Sequence, residues 1–379
     1  MPGFSRIKPG LPECAVLREK THEKTVAAAA AASFAAVPSF AGDTAEDTCY
    51  GYFDGNNAEQ HYPEALKYCR EAAEQGKARA QYLLGYMLEN GKGTAADRAG
   101  ALEWYRKAAD QGYATAEYVV GAFYFKGIEV EQDAAEAVRW FKKAAEHGQP
   151  DAPLNLFAIY AYGNGVKQDY AEAVKWVRMA ADKGVPEAQT ALGKMYLGGM
   201  GVSGNNEEGL KWFRKAAERG GDAQAQYLLG LAYLNGQVVK QDIAEGVKWI
   251  SKAAEQGYAD AEADLGSLYY SGTGVKQDDS EAAKWLLKAA DQGNAGAQTA
   301  IGNLYFAGTG VKEDYAEAAK WFAKAADHDS PEAEYTLGRM YLKGAGVKQD
   351  AAEGEKLIRE AAEHGNKEAK AYLKELPGK

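Results

Sequence analysis

All seven tryptophans of this 379-residue chain fall at one position of a repeat. Trp104, Trp140, Trp176, Trp212, Trp249, Trp285 and Trp321 follow one another at intervals of 36 residues, with a single interval of 37 between Trp212 and Trp249. A side chain this large returns at a fixed interval only when each copy is the same supersecondary unit burying the same contact. The extra residue lies at Gly220-Gly221, where other copies have one glycine. The chain therefore reads as an array, in which length reflects copy number rather than domain count.

Each copy predicts two helices. The first, helix A, centres on a glycine at positions 85, 121, 193, 230, 266, 302 and 338, with Phe157 in the eighth equivalent place. A glycine inside a helix costs about 1 kcal/mol relative to alanine. Seven of them imply a second helix too close for a Cβ. Three residues on stands a tyrosine (124, 160, 196, 233, 269, 305, 341), which we assign with the tryptophans to the core. Helix A ends in Gly-x-Gly-Val, as in Gly163-Asn164-Gly165-Val166 and Gly308-Thr309-Gly310-Val311, where glycine suits a left-handed stop and valine can plug the loop. Helix B opens with Asp and carries Glu three residues on, as in Asp133/Glu136 and Asp278/Glu281, the pattern of a capping box. A Gln-Gly or His-Gly pair closes the unit. Two short helices cannot bury their apolar faces alone, so stacking of copies must supply the core.

The run Leu-Gly-x-Met-Tyr, then Gly-x-Gly-Val-x-x-Asp, then Ala-x-x-Trp-x-x-x-Ala-Ala resembles the Sel-1-like repeat family, relatives of the tetratricopeptide repeat. The resemblance covers roughly residues 44–376. It implies an all-α fold, a right-handed α-solenoid of about nine helix–turn–helix repeats of 36 residues. It also implies an adaptor or scaffold in protein complexes, which in exported bacterial members serves the envelope or host interaction. Phe157 in helix A, Glu129 and Val238 in turns, and Asp329 at a closing glycine depart from the pattern.

The ends differ from the array. Residues 1–41 carry Arg6, Lys8, Arg18, Lys20 and Lys24, then the alanine-rich run 26–37, then Pro38-Ser39-Phe40-Ala41. This reads as a signal peptide cleaved after Ala41 and places the protein in the periplasm or outside the cell. Residues 42–76 form an atypical first repeat, 77–365 the regular array, and 366–379 a charged capping helix and tail. Cys49 and Cys69 both lie in the first repeat; in an exported chain they suit a disulfide, and otherwise two buried thiols. The net charge of −10 disfavours nucleic acid as a partner, and no stretch is long and apolar enough to span a membrane.

Signals of chemistry dissolve into the repeat. Gly199-x-Gly201-x-x-Gly204 matches a dinucleotide fingerprint but lies between helices, so no cofactor is expected. His147, His328 and His364 share one repeat position at the end of helix B; copies so far apart cannot share an ion, and no metal site is expected. The resemblance also raises β-lactam binding or hydrolysis, linked to cysteine-rich relatives. Here a single cysteine pair remains after residue 41, and Ser-x-x-Lys occurs only at Ser5/Lys8, so the chain is read as a non-enzyme.

By analogy with tetratricopeptide arrays, helix A lines a groove. Counted from its glycine, the groove-facing positions hold Tyr82, Tyr118, Tyr227 and Tyr335 at −3, and Tyr86, Lys194, Asn303 and Arg339 at +1. Phe125, Tyr270 and Phe306 stand at +4, and Lys126, Tyr162 and Asn235 at +5. Rings supply area and amides meet backbone groups, so the set suits an extended protein or peptide segment. A polysaccharide or peptidoglycan strand stacked on the rings is the alternative. So is packing of the −3 and +4 rings between adjacent A helices.

Overall fold

The computed structural model describes residues 44–54 and 61–375; the proposed signal segment lies outside them. Among the described residues there are 19 helices and no strand. They form two compact units, 44–205 and 206–375. The first holds α1 (Ala45–Asp54), α2 (Tyr62–Glu74), α3 (Ala78–Asn90), α4 (Arg98–Ala109), α5 (Ala114–Lys126), α6 (Ala134–Glu146), α7 (Ala152–Tyr162), α8 (Tyr170–Asp182) and α9 (Pro186–Gly198). The second holds α10 (Asn206–Arg219), α11 (Ala223–Asn235), α12 (Ile243–Glu255), α13 (Ala259–Ser271), α14 (Asp279–Asp291), α15 (Ala295–Ala307), α16 (Tyr315–Ala326), α17 (Pro331–Lys343), α18 (Ala351–Glu363) and α19 (Lys367–Glu375). Within each unit, pairs of A and B helices stack into an all-α solenoid.

The helix A glycine does what the sequence implies. A Cβ built at Gly85, Gly121, Gly230, Gly266, Gly302 or Gly338 would lie 2.6–2.9 Å from a side chain of the paired helix B. Those side chains are Tyr105, Phe141, Ile250, Leu286, Phe322 and Ile358, each one residue beyond the tryptophan position and fully or almost fully buried. They form the centre of the core, and Trp140, Trp176, Trp212, Trp249 and Trp321 are buried with them as expected. Trp104 and Trp285 remain half-buried, and a lysine three residues on covers most of the indoles, as with Lys107 over Trp104 at 3.8 Å. The repeated tyrosines are half-buried too. Tyr124, Tyr196 and Tyr233 accept a hydrogen bond from Arg106, Arg178 and Arg214 on the preceding helix B, at 2.6–2.8 Å. They link copies at the core's margin instead of filling it.

The turns confirm the left-handed stops: Gly163, Gly272 and Gly308 end helix A at φ 67–71°. Their valines reach the core as expected, Val275, Val311 and Val347 packing on buried clusters. The second turn glycine has an additional reason. Gly310 and Gly346 rest on the backbone of Asp279 and Tyr315, the first residue of the preceding helix B, leaving no room for a Cβ. Of the departures, Glu129 adopts φ 56°, whereas Val238 keeps a negative φ, as a β-branched residue must.

The capping box is half-formed. Asp133, Asp242, Asp278 and Asp314 accept the backbone N–H of the following Glu at 2.9–3.0 Å. The reciprocal bond is missing because the Asp N–H donates to the helix A tyrosine carbonyl (Asp133 to Tyr124, Asp278 to Tyr269). The freed Glu pairs with a lysine three residues on instead, as in Lys248–Glu245 at 2.9 Å. The residue before the Asp contributes as well: Gln132, Gln168, Gln241 and Gln349 donate to carbonyls at the end of helix A, at 2.7–2.8 Å. One Gln-Asp dipeptide thus caps two helices.

Candidate functional site

The predicted groove residues separate by depth. Tyr82, Tyr118 and Tyr227 are buried and present no surface to a partner. Tyr82 packs on Tyr105 and Tyr113 with ring centroids 5.6 and 5.3 Å away. The Tyr118 hydroxyl accepts from Asn155 at 2.9 Å, and Tyr227 donates to Asp264 at 3.0 Å; both partners lie one repeat on. Position −3 therefore faces the next A helix, and its rings hold copies together. Burial pushes the Tyr118 hydroxyl up to about 12. Lys194 is buried as well. Tyr335 is half-buried, its hydroxyl accepting from Arg339 at 2.9 Å.

The later positions stay open. In the first unit Tyr162 is 37% exposed and Lys126 is exposed too; in the second, Tyr270 and Phe306 are 49 and 39% exposed, and Asn303 is exposed. Phe125, Tyr86 and Asn235 are half-buried; Tyr86 edges onto Phe53 at 5.7 Å, and the Asn235 amide nitrogen is buried with no hydrogen-bond partner among the described residues. Phe306 meets Tyr315 edge-on at 5.0 Å, and Tyr315 is itself 38% exposed. Tyr315 and the exposed Ile243 start helix B, so a search confined to helix A misses them. Their visible signal is an apolar residue immediately after the capping Asp.

The second unit also holds a carboxyl of altered acidity. Burial raises Asp264 to about 6, against a smaller opposing effect of its bond from Tyr227, with Asp260 adding repulsion. Tyr258 packs on Tyr227 at 5.3 Å and Asn294 donates to Asp260 at 2.9 Å, so rings and carboxylates share one stretch of α11–α13 and the loop after α14.

A second polar row runs inside each unit. Gln81, Gln189, Gln226 and Gln298, four residues before the helix A glycine, are buried and donate to the last carbonyls of the preceding helix B at 3.1–3.2 Å. The residue closing helix B reaches back to the same position, as Gln111 does to Gln81 and Gln256 to Gln226, both at 2.7 Å. His147 and His364 use this contact too. Nδ1 of His147 meets Glu117 at 2.7 Å, and Nδ1 of His364 meets Glu334 at 2.8 Å. In the first repeat, Cys49 and Cys69 are joined by a disulfide tying α1 to α2.

Nine consecutive stretches match the Sel1 repeat: residues 45–77, 78–113, 114–149, 150–185, 186–221, 223–258, 259–294, 295–330 and 331–366. The chain belongs to the Sel1 repeat family. Among solved structures it is similar to c5321, a protective antigen of uropathogenic Escherichia coli with an SLR fold (38% identity, TM-score 0.73), over 81% of this chain. The chain spans 66% of that protein's length. It is also similar to a Sel1 repeat protein from Oxalobacter formigenes (31% identity, TM-score 0.71), covering 91% of this chain and 97% of that one. Among curated proteins, none matches. Sel1 repeats act as protein-interaction scaffolds, and no described helix is long and apolar enough to cross a membrane. In Sel1 terms, the repeated glycine and the buried residue after the tryptophan build the scaffold. The residues at +4 and +5, several of them exposed, differ between copies.

Proposed function

We propose that this Sel1 repeat protein is a non-catalytic adaptor that captures a protein segment on the exposed part of its A helices, outside the cytoplasm. The observation that carries the reading is the exposure of Tyr270 and Phe306 in the second unit, and separately of Tyr162 in the first, each left at least one-third exposed in helices whose repeated residues are buried or half-buried. Rings fixed on rigid helices lose little entropy on binding, and the exposed Lys126 and Asn303, one in each unit, can meet acidic and backbone groups. The location rests on the sequence of residues 1–41 and on the Cys49–Cys69 disulfide, a bond that persists in oxidising compartments.

The test is capture from an envelope fraction with the purified chain, compared with the Tyr270→Ala/Phe306→Ala variant. Both rings are exposed, so the variant should fold with an unchanged circular dichroism spectrum and melting temperature. A protein retained by the parent and lost at least tenfold by the variant supports the reading. Equal capture by both overturns the face assignment; recovery of a glycan, or acylation by a labelled β-lactam, overturns the adaptor. Edman sequencing of the exported protein should begin at residue 42.

A further inference from the structure

Three residues separate in sequence, one of them a departure found in no other copy, meet in the fold. Asp329 replaces the glycine that closes the other copies and takes up its left-handed backbone, φ 54°. Glu334 takes the seam position, glutamine in other copies such as Gln81 and glutamate in Glu117 and Glu262, and His364 reaches back to it as His147 does to Glu117. A carboxylate oxygen of Asp329, one of Glu334 and a ring nitrogen of His364 all lie within 4.8 Å of one another. The Glu334 side chain is 3% exposed and Asp329 is open to solvent, so the group has a fixed floor and a free entrance. An αL non-glycine residue costs about 1–3 kcal/mol, and such outliers gather where a side chain is needed.

We propose that Asp329, Glu334 and His364 form a binding site for a divalent transition-metal ion, with zinc the best-matched. One imidazole and two carboxylates carry a charge of −2 when the histidine is neutral, and zinc takes such nitrogen and oxygen donors at about 2.0–2.2 Å. Ligation needs a small inward movement, which the exposed Asp329 side chain and the His364 ring can supply. Water completes the coordination. Binding displaces any proton held between His364 and Glu334, so uptake releases protons. The chain contains its own control: Glu117 and His147 make the same pair, at 2.7 Å, but Gly112 stands where the aspartate would be.

The experiment is zinc titration of the full chain by calorimetry in two buffers of different ionisation enthalpy, with dialysis and metal analysis. Asp329→Gly and His364→Gln restore residues used at equivalent places in other copies, so both variants should fold, as circular dichroism will verify. The expected result is one zinc per chain with proton release, weakened at least tenfold by either substitution and unchanged by His147→Gln. Absence of zinc binding in the parent, or equal binding in Asp329→Gly and His364→Gln, overturns the site. Loss with His147→Gln alone also does so.

Discussion

At position 157 the array carries phenylalanine where seven other copies carry glycine, yet α7 still packs on α8. The opposite position holds the reason. Where other copies have Tyr105, Phe141 or Ile250, this one has Val177, and Phe157 and Val177 are both fully buried. Volume has moved from helix B to helix A, which keeps the interface filled. Phe157→Gly should cost about 3–5 kcal/mol by leaving a cavity, and Val177→Phe about 1–3 kcal/mol by overpacking. The double substitution should recover at least half of the combined loss in urea melts. Strict additivity would show that the two sites do not compensate. Asp264 gives a second residue-scale prediction. Its folded-state pKa is raised from 3.8 to about 6, so the folded chain holds the proton more tightly than the unfolded chain. Stability from this group is present below about pH 4 and falls as pH rises towards 6. Asp264→Asn keeps an acceptor for Tyr227 and should be more stable than the parent at pH 7, by at most about 3 kcal/mol from two units of acidity. That advantage should disappear below pH 4. A gain independent of pH would assign it to packing.

At the scale of the element, two glycines with similar backbones do different work. Gly293 closes α14 at φ 89° with nothing within 4 Å of its would-be Cβ, so conformation alone selects it. Gly310, at φ 69°, also lies on the backbone of Asp279 and Ser280, so contact between copies selects it as well. Gly293→Ala should cost about 1–2 kcal/mol, the left-handed penalty. Gly310→Ala should cost at least twice as much, because backbone must move; equal losses in denaturant melts would refute the contact. The same economy marks the junction of helices A and B, where Gln-Asp serves the end of one and the start of the next.

Over the whole molecule, stability in a stacked array is a sum of copies and their neighbours, so an end copy has half the support. The first repeat meets this with the Cys49–Cys69 bridge across 20 residues. Closing such a loop contributes about 3 kcal/mol. Cys49→Ser should therefore raise hydrogen exchange across 45–74 while leaving 152–198 unchanged. Uniform loss of protection would mean that the unit unfolds as one body. The array itself was legible in the chain, because period, glycine spacing and turn chemistry are local and repeated. So were the caps and the closeness of A to B, since a glycine repeated inside a helix is a cost that only a close neighbour offsets. The depth of each ring was not legible. Tyr118 and Tyr270 both looked groove-facing; one binds Asn155 in the next copy and the other stands in solvent. Nor could spacing show that Asp329, Glu334 and His364 converge, because residues one repeat apart meet only when a helix pair folds back on itself. Sequence determined the unit and its count through interactions repeated within each copy. Tertiary structure decided which unrepeated side chains face a neighbour, solvent or one another, because that depends on how unlike copies abut.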